Sequence, residues 1–176
     1  MSVDVGLVVL RVVVGALFVG HGTQKLFGWF GGGGFRGTTA WLGAMGFKPA
    51  WLWALLAGVG EAGGGLLLAL GFLGPLGALG IIGVMVTAAL KIHWAHGLWV
   101  ADNGIELPLV YVVVAGVLGL LGPGSYSLDA ALGIPLANEA LFWIGLAAVL
   151  VLDAVGLFLS SSRTAARPMQ QAESGA

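Results

Sequence analysis

Apolar positions fall in five long runs separated by short polar stretches. The first, Val5 to Phe27, is interrupted by Arg11. The second, Ala50 to Gly74, carries Glu61, and the third, Pro75 to His96, ends in Lys91, His93 and His96. The fourth, Leu107 to Gly122, holds no charge, and the fifth, Ala140 to Ser160, carries Asp153. A helix that crosses a bilayer needs roughly 17–25 mostly apolar residues. The fourth run is the shortest and is expected to borrow Gly104 to Glu106 to reach full depth. The pattern predicts an all-α chain, a polytopic transmembrane helix bundle.

Composition removes the soluble alternative. Charged residues make up 9% of the 176 positions, apolar residues 59%, and the mean hydropathy is +1.01. Soluble domains carry about 25% charged residues. Too few charges exist here to cover a surface facing water, so the surface faces lipid. A net charge of −1 leaves no basic footprint for nucleic acid. Without cysteine, thiolate catalysis and thiolate metal sites are excluded within the chain. The glycines read as close-packing positions between helices: Gly60 and Gly64 form a GxxxG pair, and Gly74, Gly77, Gly80 and Gly83 recur at every third position.

Basic residues set the expected orientation. Lys25, Arg36, Lys48, Lys91, Arg163 and Arg167, six of the seven, share one side if five spans cross. That side is expected to be cytoplasmic. The N-terminus is then outside and the C-terminus inside. The start "MSVDVG" has no basic region, so the first helix is expected to act as its own insertion signal.

The stretch "GHGTQKLFGWFGGGGFRGTTAW" resembles a phosphate loop only superficially. A P-loop needs Lys followed by Ser or Thr after its second glycine, and here Gly37 is followed by Thr38 and Thr39. The glycines from Gly31 to Gly34 are expected to end the first helix in a flexible turn. Thr38 or Thr39 would then cap a short interfacial helix.

The polar positions in the spans suggest chemistry. Arg11 and Glu61 are intramembrane charges, expensive in lipid, and expected to face the bundle interior and each other. Such a pair either fixes helix packing or forms part of a proton- or quinone-contacting site. Arg11, Phe18, Gly22 and Lys25 lie on one stripe, and His21 is one turn before Lys25. Either Lys25 reaches lipid phosphate while His21 sits among headgroups, or the two bind a ligand carbonyl or exchange protons. His93 and His96 share a helical face. They form an interfacial polar cluster with Trp94 and Trp99, or two metal ligands that would need Asp102 and Glu106 as well. No metal is expected. Antiparallel packing would gather His21, Lys25, Lys91, His93 and His96 around one cytoplasmic pocket. Asp153 has no evident cation and is either protonated or paired with a partner subunit.

These motifs together, an arginine early in the first span, "HGTQKLFG" at its end, a glycine loop, and "GVGEAGGGLLLALG" in the second span, resemble the DoxX family of small bacterial membrane proteins. The resemblance runs from about Leu7 to Leu121. It implies four DoxX-like helices in residues 1–122, to which this chain adds an extra C-terminal helix. Residues 123–139 would form an extracytoplasmic loop, 140–160 the fifth transmembrane helix, and 161–176 a mobile polar cytoplasmic tail. It also implies a bacterial cytoplasmic (inner) membrane location. The expected role is a membrane subunit or adaptor of an oxidoreductase assembly, with no intrinsic cofactor and no assigned catalytic residue. A quinone is the candidate ligand, and His21, Lys25, Glu61, Lys91, His93 and His96 are its candidate contacts. Arg11, Glu61 and Asp153 are the structural intramembrane charges. Expected partners are the lipid bilayer, other oxidoreductase subunits and a second copy of the chain. The alternatives are a small-solute or proton transporter and a purely structural assembly protein.

Overall fold

A computed structural model describes residues 2–136 and 139–161. The tail expected to be mobile lies almost wholly outside the described residues. Seven helices follow in order: α1 (Ser2–Phe27), α2 (Gly34–Ala44), α3 (Ala50–Leu70), α4 (Leu76–Ala88), α5 (Glu106–Leu121), α6 (Leu128–Leu132) and α7 (Glu139–Ser161). No strand occurs among the described residues. Helices α1, α3 and α7, and α4 with its continuation to His96, are long and apolar enough to cross a membrane. Helix α5 is apolar but has only 16 residues, about 24 Å at 1.5 Å per residue. Of the expected extension from Gly104 to Glu106 it takes in Glu106 but not Gly104 or Ile105. Those residues close a compact turn, in which the Gly104 amide donates to the Trp99 carbonyl at 2.8 Å and Ile105 to Gly97 at 3.0 Å.

Helices α1 and α3 pack antiparallel with their backbones in close approach. A side chain added at Gly65 would lie 2.6 Å from the Gly15 carbonyl oxygen. One added at Gly22 would overlap the backbone of Ala62. The stripe that carries Arg11 and Lys25 is therefore the α3 contact face. Helices α3 and α4 meet in the same way. A Cβ at Gly77 would lie 2.7 Å from the Leu68 nitrogen, and one at Gly80 would lie 3.0 Å from the Gly60 carbonyl oxygen. Small residues allow these approaches, and dispersion between the backbones holds helices together where no hydrophobic drive exists. Helix α7 packs on α4, with Gly83 against Val149 and Gly145 against Leu79. Phe18, Ile81, Ile82, Leu118 and Phe142 are buried where α1, α4, α5 and α7 converge.

The first connection departs from a simple flexible turn. Gly28 takes a left-handed conformation (φ 76°) and ends α1. Helix α2 then begins at Gly34 without a side-chain cap. Thr38 is inside α2, buried, and donates to the Lys25 carbonyl at 3.1 Å. It ties α2 to the last turn of α1 and does not cap a helix. Gly32 lies against the Gln24 backbone, with no room for a Cβ. The glycines here give close packing as well as turning.

Candidate functional site

The antiparallel register decides which charges meet. Glu61 forms its ion pair with Lys25, not with Arg11 at the other end of α1. The expected Arg11–Glu61 pair does not form. Arg11 lies level with Gly71 at the far end of α3. The fourteen positions from Arg11 to Lys25 correspond to about 21 Å along α1, beyond the reach of an arginine side chain. Glu61 is 1% exposed. Its Oε1 meets the Lys25 Nζ, and its Oε2 is buried without a partner.

The pair borders a cavity of about 320 Å³. Helix α1 contributes Phe18, His21 and Lys25, and α3 contributes Ala57 and Glu61, one turn apart. Helix α4 supplies Val84, Met85 and Thr87, α5 supplies Tyr111, and α2 closes one side with Trp41 and Leu42. After Ala88, α4 passes into a π-helical turn, Ala89–His93, and then a 3₁₀ turn, Trp94–His96. A π turn inserts an extra residue into the helical repeat and is frequent at functional sites. Here Ile92 and His93 from that turn complete the cavity wall. The His93 Nδ1 donates to the Asn103 carbonyl at 2.6 Å. In a neutral ring that bond leaves the lone pair on Nε2. His21 Nδ1 lies 3.2 Å from Gln24 Oε1. The Tyr111 ring stands edge-on to Phe18, with centroids 5.0 Å apart.

Of the six candidate contacts, the fold brings His21, Lys25, Glu61 and His93 to one cavity. Lys91 and His96 are not part of it. The Lys91 ammonium lies over the Phe47 ring, 5.8 Å from its centroid, where the ring's quadrupole attracts a cation. His96 Nδ1 donates to the Ile92 carbonyl at 3.1 Å. Among the described residues, no group of three His, Asp or Glu side chains is placed to hold a metal ion. Tyr111 and Thr87 belong to the site although sequence reasoning did not single them out, and so does Trp41, which was expected only as an interfacial aromatic. A hydroxyl-bearing ring at Tyr111 in an otherwise apolar fourth span was the available signal.

The remaining buried charges have other partners. Asp153 Oδ1 accepts from the Thr87 hydroxyl at 3.0 Å, while its Oδ2 is buried without a partner, and no cation meets it among the described residues. Thr87 borders the Glu61 cavity and also a second, apolar pocket of about 280 Å³ that reaches Asp153. Asp129, in the connection after α5, is buried and accepts from the amides of Leu73 (2.9 Å) and Gly74 (2.6 Å). It fastens α6 over the α3–α4 turn. Ser127 caps α6 by accepting from the Ala130 amide.

The arrangement can accept and donate hydrogen bonds at one end of the bundle, in a pocket whose remaining walls are apolar. The DoxX family model matches residues 6–94, just over half of the chain. No significant match was found among curated proteins or among solved structures. The match stops at the end of α4's continuation, short of the fourth span to which the resemblance had been extended. It includes both members of the Lys25–Glu61 pair, both cavity histidines and the glycine contacts of α1, α3 and α4. The chain is a multi-pass membrane protein, and it belongs to the DoxX family.

Proposed function

We propose that the protein is a membrane subunit or adaptor of an oxidoreductase assembly in the bacterial cytoplasmic membrane, and that the Glu61 cavity takes a quinone headgroup. The observation that carries this reading is the unpartnered Oε2 of Glu61 in a pocket with apolar walls. A quinone carbonyl needs a donor, which the Lys25 ammonium and the Tyr111 hydroxyl supply. A quinol hydroxyl needs an acceptor, which Glu61 Oε2 and His93 Nε2 supply. The cavity volume falls at the lower end of ligand sites, about 300–1,000 Å³. The neighbouring apolar pocket shares Leu42, Ala57, Val84 and Thr87 with it, and gives an isoprenoid tail an apolar wall. The protein's own groups bind and exchange protons, and electrons come from a partner subunit. The distribution of basic residues supports a cytoplasmic position for this end of the bundle.

A transporter needs a polar path across the bilayer. Between the Glu61 cavity and Arg11, Val14, Phe18 and Leu68 are buried and the Gly15–Gly65 backbones touch. That packing favours a one-ended site. The test is titration of the detergent-purified protein with a short-tailed benzoquinone, read by quenching of tryptophan fluorescence, since Trp41 lines the cavity. Saturable quenching is expected, and it should weaken about tenfold in Glu61→Gln. Quenching that does not saturate, or that is unchanged in both Glu61→Gln and Tyr111→Phe, overturns the quinone reading. Mass spectrometry of proteins retained in mild detergent tests the assembly, which should include an oxidoreductase subunit.

A further inference from the structure

The opposite end of the bundle holds a buried cation without a counter-charge. Arg11 is 2% exposed. Its Nη2 donates to the Tyr126 carbonyl at 2.7 Å, while Nε and Nη1 are buried without partners. No carboxylate among the described residues is within ion-pairing distance of it. The carboxylate of Asp129 is engaged by the Leu73 and Gly74 amides. An arginine does not shed its charge, so it must be compensated in place. Gly71 makes the space: any Cβ there would overlap the Arg11 Nη1.

The guanidinium borders a cavity of about 580 Å³ between α1, the end of α3 and the connection that carries α6. Val8, Ala69, Ser125, Ser127 and Ala131 form its walls with Arg11. The geometry points to this cavity as an anion-binding site, for a small oxyanion or for the phosphate of a lipid headgroup. A guanidinium matches an oxyanion better than any other common ligand, because each edge of its fork, Nε with Nη2 or Nη1 with Nη2, gives parallel N–H···O bonds, and Nη2 keeps a second N–H beside the one given to Tyr126. One backbone carbonyl already orients the fork, so little ordering remains at binding. The site is at the other end of α1 from the Glu61 cavity, separated by the packed Gly15–Gly65 contact. Its occupancy is therefore independent of the quinone reading.

The test uses the full-length protein, delipidated in a non-ionic detergent. Sodium sulfate is titrated against sodium chloride of equal ionic strength, read by calorimetry. Retention of phosphatidylglycerol is read separately by native mass spectrometry. Saturable sulfate binding with no retained lipid identifies a free oxyanion. Retained lipid without sulfate binding identifies a headgroup, and sulfate displacing lipid identifies one site shared by both. Arg11→Gln should weaken whichever binds by about tenfold or more. Because that variant can also misfold, Ala131→Leu serves as the second. It fills the cavity while keeping Arg11, and should weaken binding equally without lowering thermal stability in ligand-free protein. The site is overturned if neither sulfate nor phosphatidylglycerol binds saturably. It is equally overturned if binding is the same in wild type and Ala131→Leu.

Discussion

Removing Lys25 and removing Glu61 should have unequal costs. Lys25→Met leaves a carboxylate that is 1% exposed and has no other ion-pair partner among the described residues. Breaking a buried pair from one side costs about 3–5 kcal/mol. Glu61→Gln leaves the Lys25 side chain, 27% exposed and long enough to turn its ammonium toward headgroups. That loss should be nearer about 1 kcal/mol. The double change Lys25→Met with Glu61→Gln should recover most of the larger deficit. Unfolding by a denaturing detergent, followed by circular dichroism, measures all three. Equal single losses with no recovery would mean that the two residues act separately. Arg11→Leu combined with Glu61→Gln gives the complementary result. The two sites share no partner, so their effects should add within about 0.5 kcal/mol.

At the level of the helix, the decisive contacts are between backbones. Gly65→Ala places a methyl group 2.6 Å from the Gly15 carbonyl oxygen and 2.8 Å from the Val19 nitrogen. Backbone cannot give way as a side-chain tip can, so α1 and α3 must separate. Overpacking of this kind costs about 1–3 kcal/mol, and it would also loosen the wall that carries Glu61. Gly20→Ala is the control, because no atom lies within 4 Å of its added Cβ. It should leave stability unchanged or slightly raised, since alanine is the better helix former. Melting curves in one detergent compare the two. A Gly65→Ala protein as stable as wild type would show that the close approach of α1 and α3 is dispensable. In the first connection the same logic separates Gly32, which has no room for a Cβ beside Gln24, from Gly37, which is open.

For the whole molecule, orientation decides which end meets which compartment. With the basic residues inside, the Glu61 cavity faces the cytoplasm and the Arg11 cavity the outside. An alkaline phosphatase fused after Ala176 should be inactive, because that enzyme folds only outside the cytoplasm. The same reporter inserted at Gly133, beside α6 with open space around it, should be active. The reverse pattern would exchange the compartments of the two cavities and remove the basis for a cytoplasmic quinone site.

The helical architecture was legible in the linear pattern because lipid imposes a simple rule. Backbone polar groups must be satisfied within each span, so long apolar runs become helices. Glycine spacing and the scarcity of charge likewise announced close-packed membrane helices, and the motifs around His21 and Glu61 announced the family. His21, Lys25, Glu61 and His93 were singled out from their residue types alone. Register was not legible. Arg11 and Glu61 both interrupt apolar runs, and nothing in the order of residues says which cation is level with which acid. The packing of Gly15 on Gly65 and Gly22 on Ala62 decides that, and it places Lys25 beside Glu61. The π turn that carries His93 to the cavity wall, the capture of the α3–α4 turn by Asp129, and the bond from Thr87 to Asp153 are likewise tertiary. Each depends on a partner distant in sequence, whose position is set only when the helices have packed.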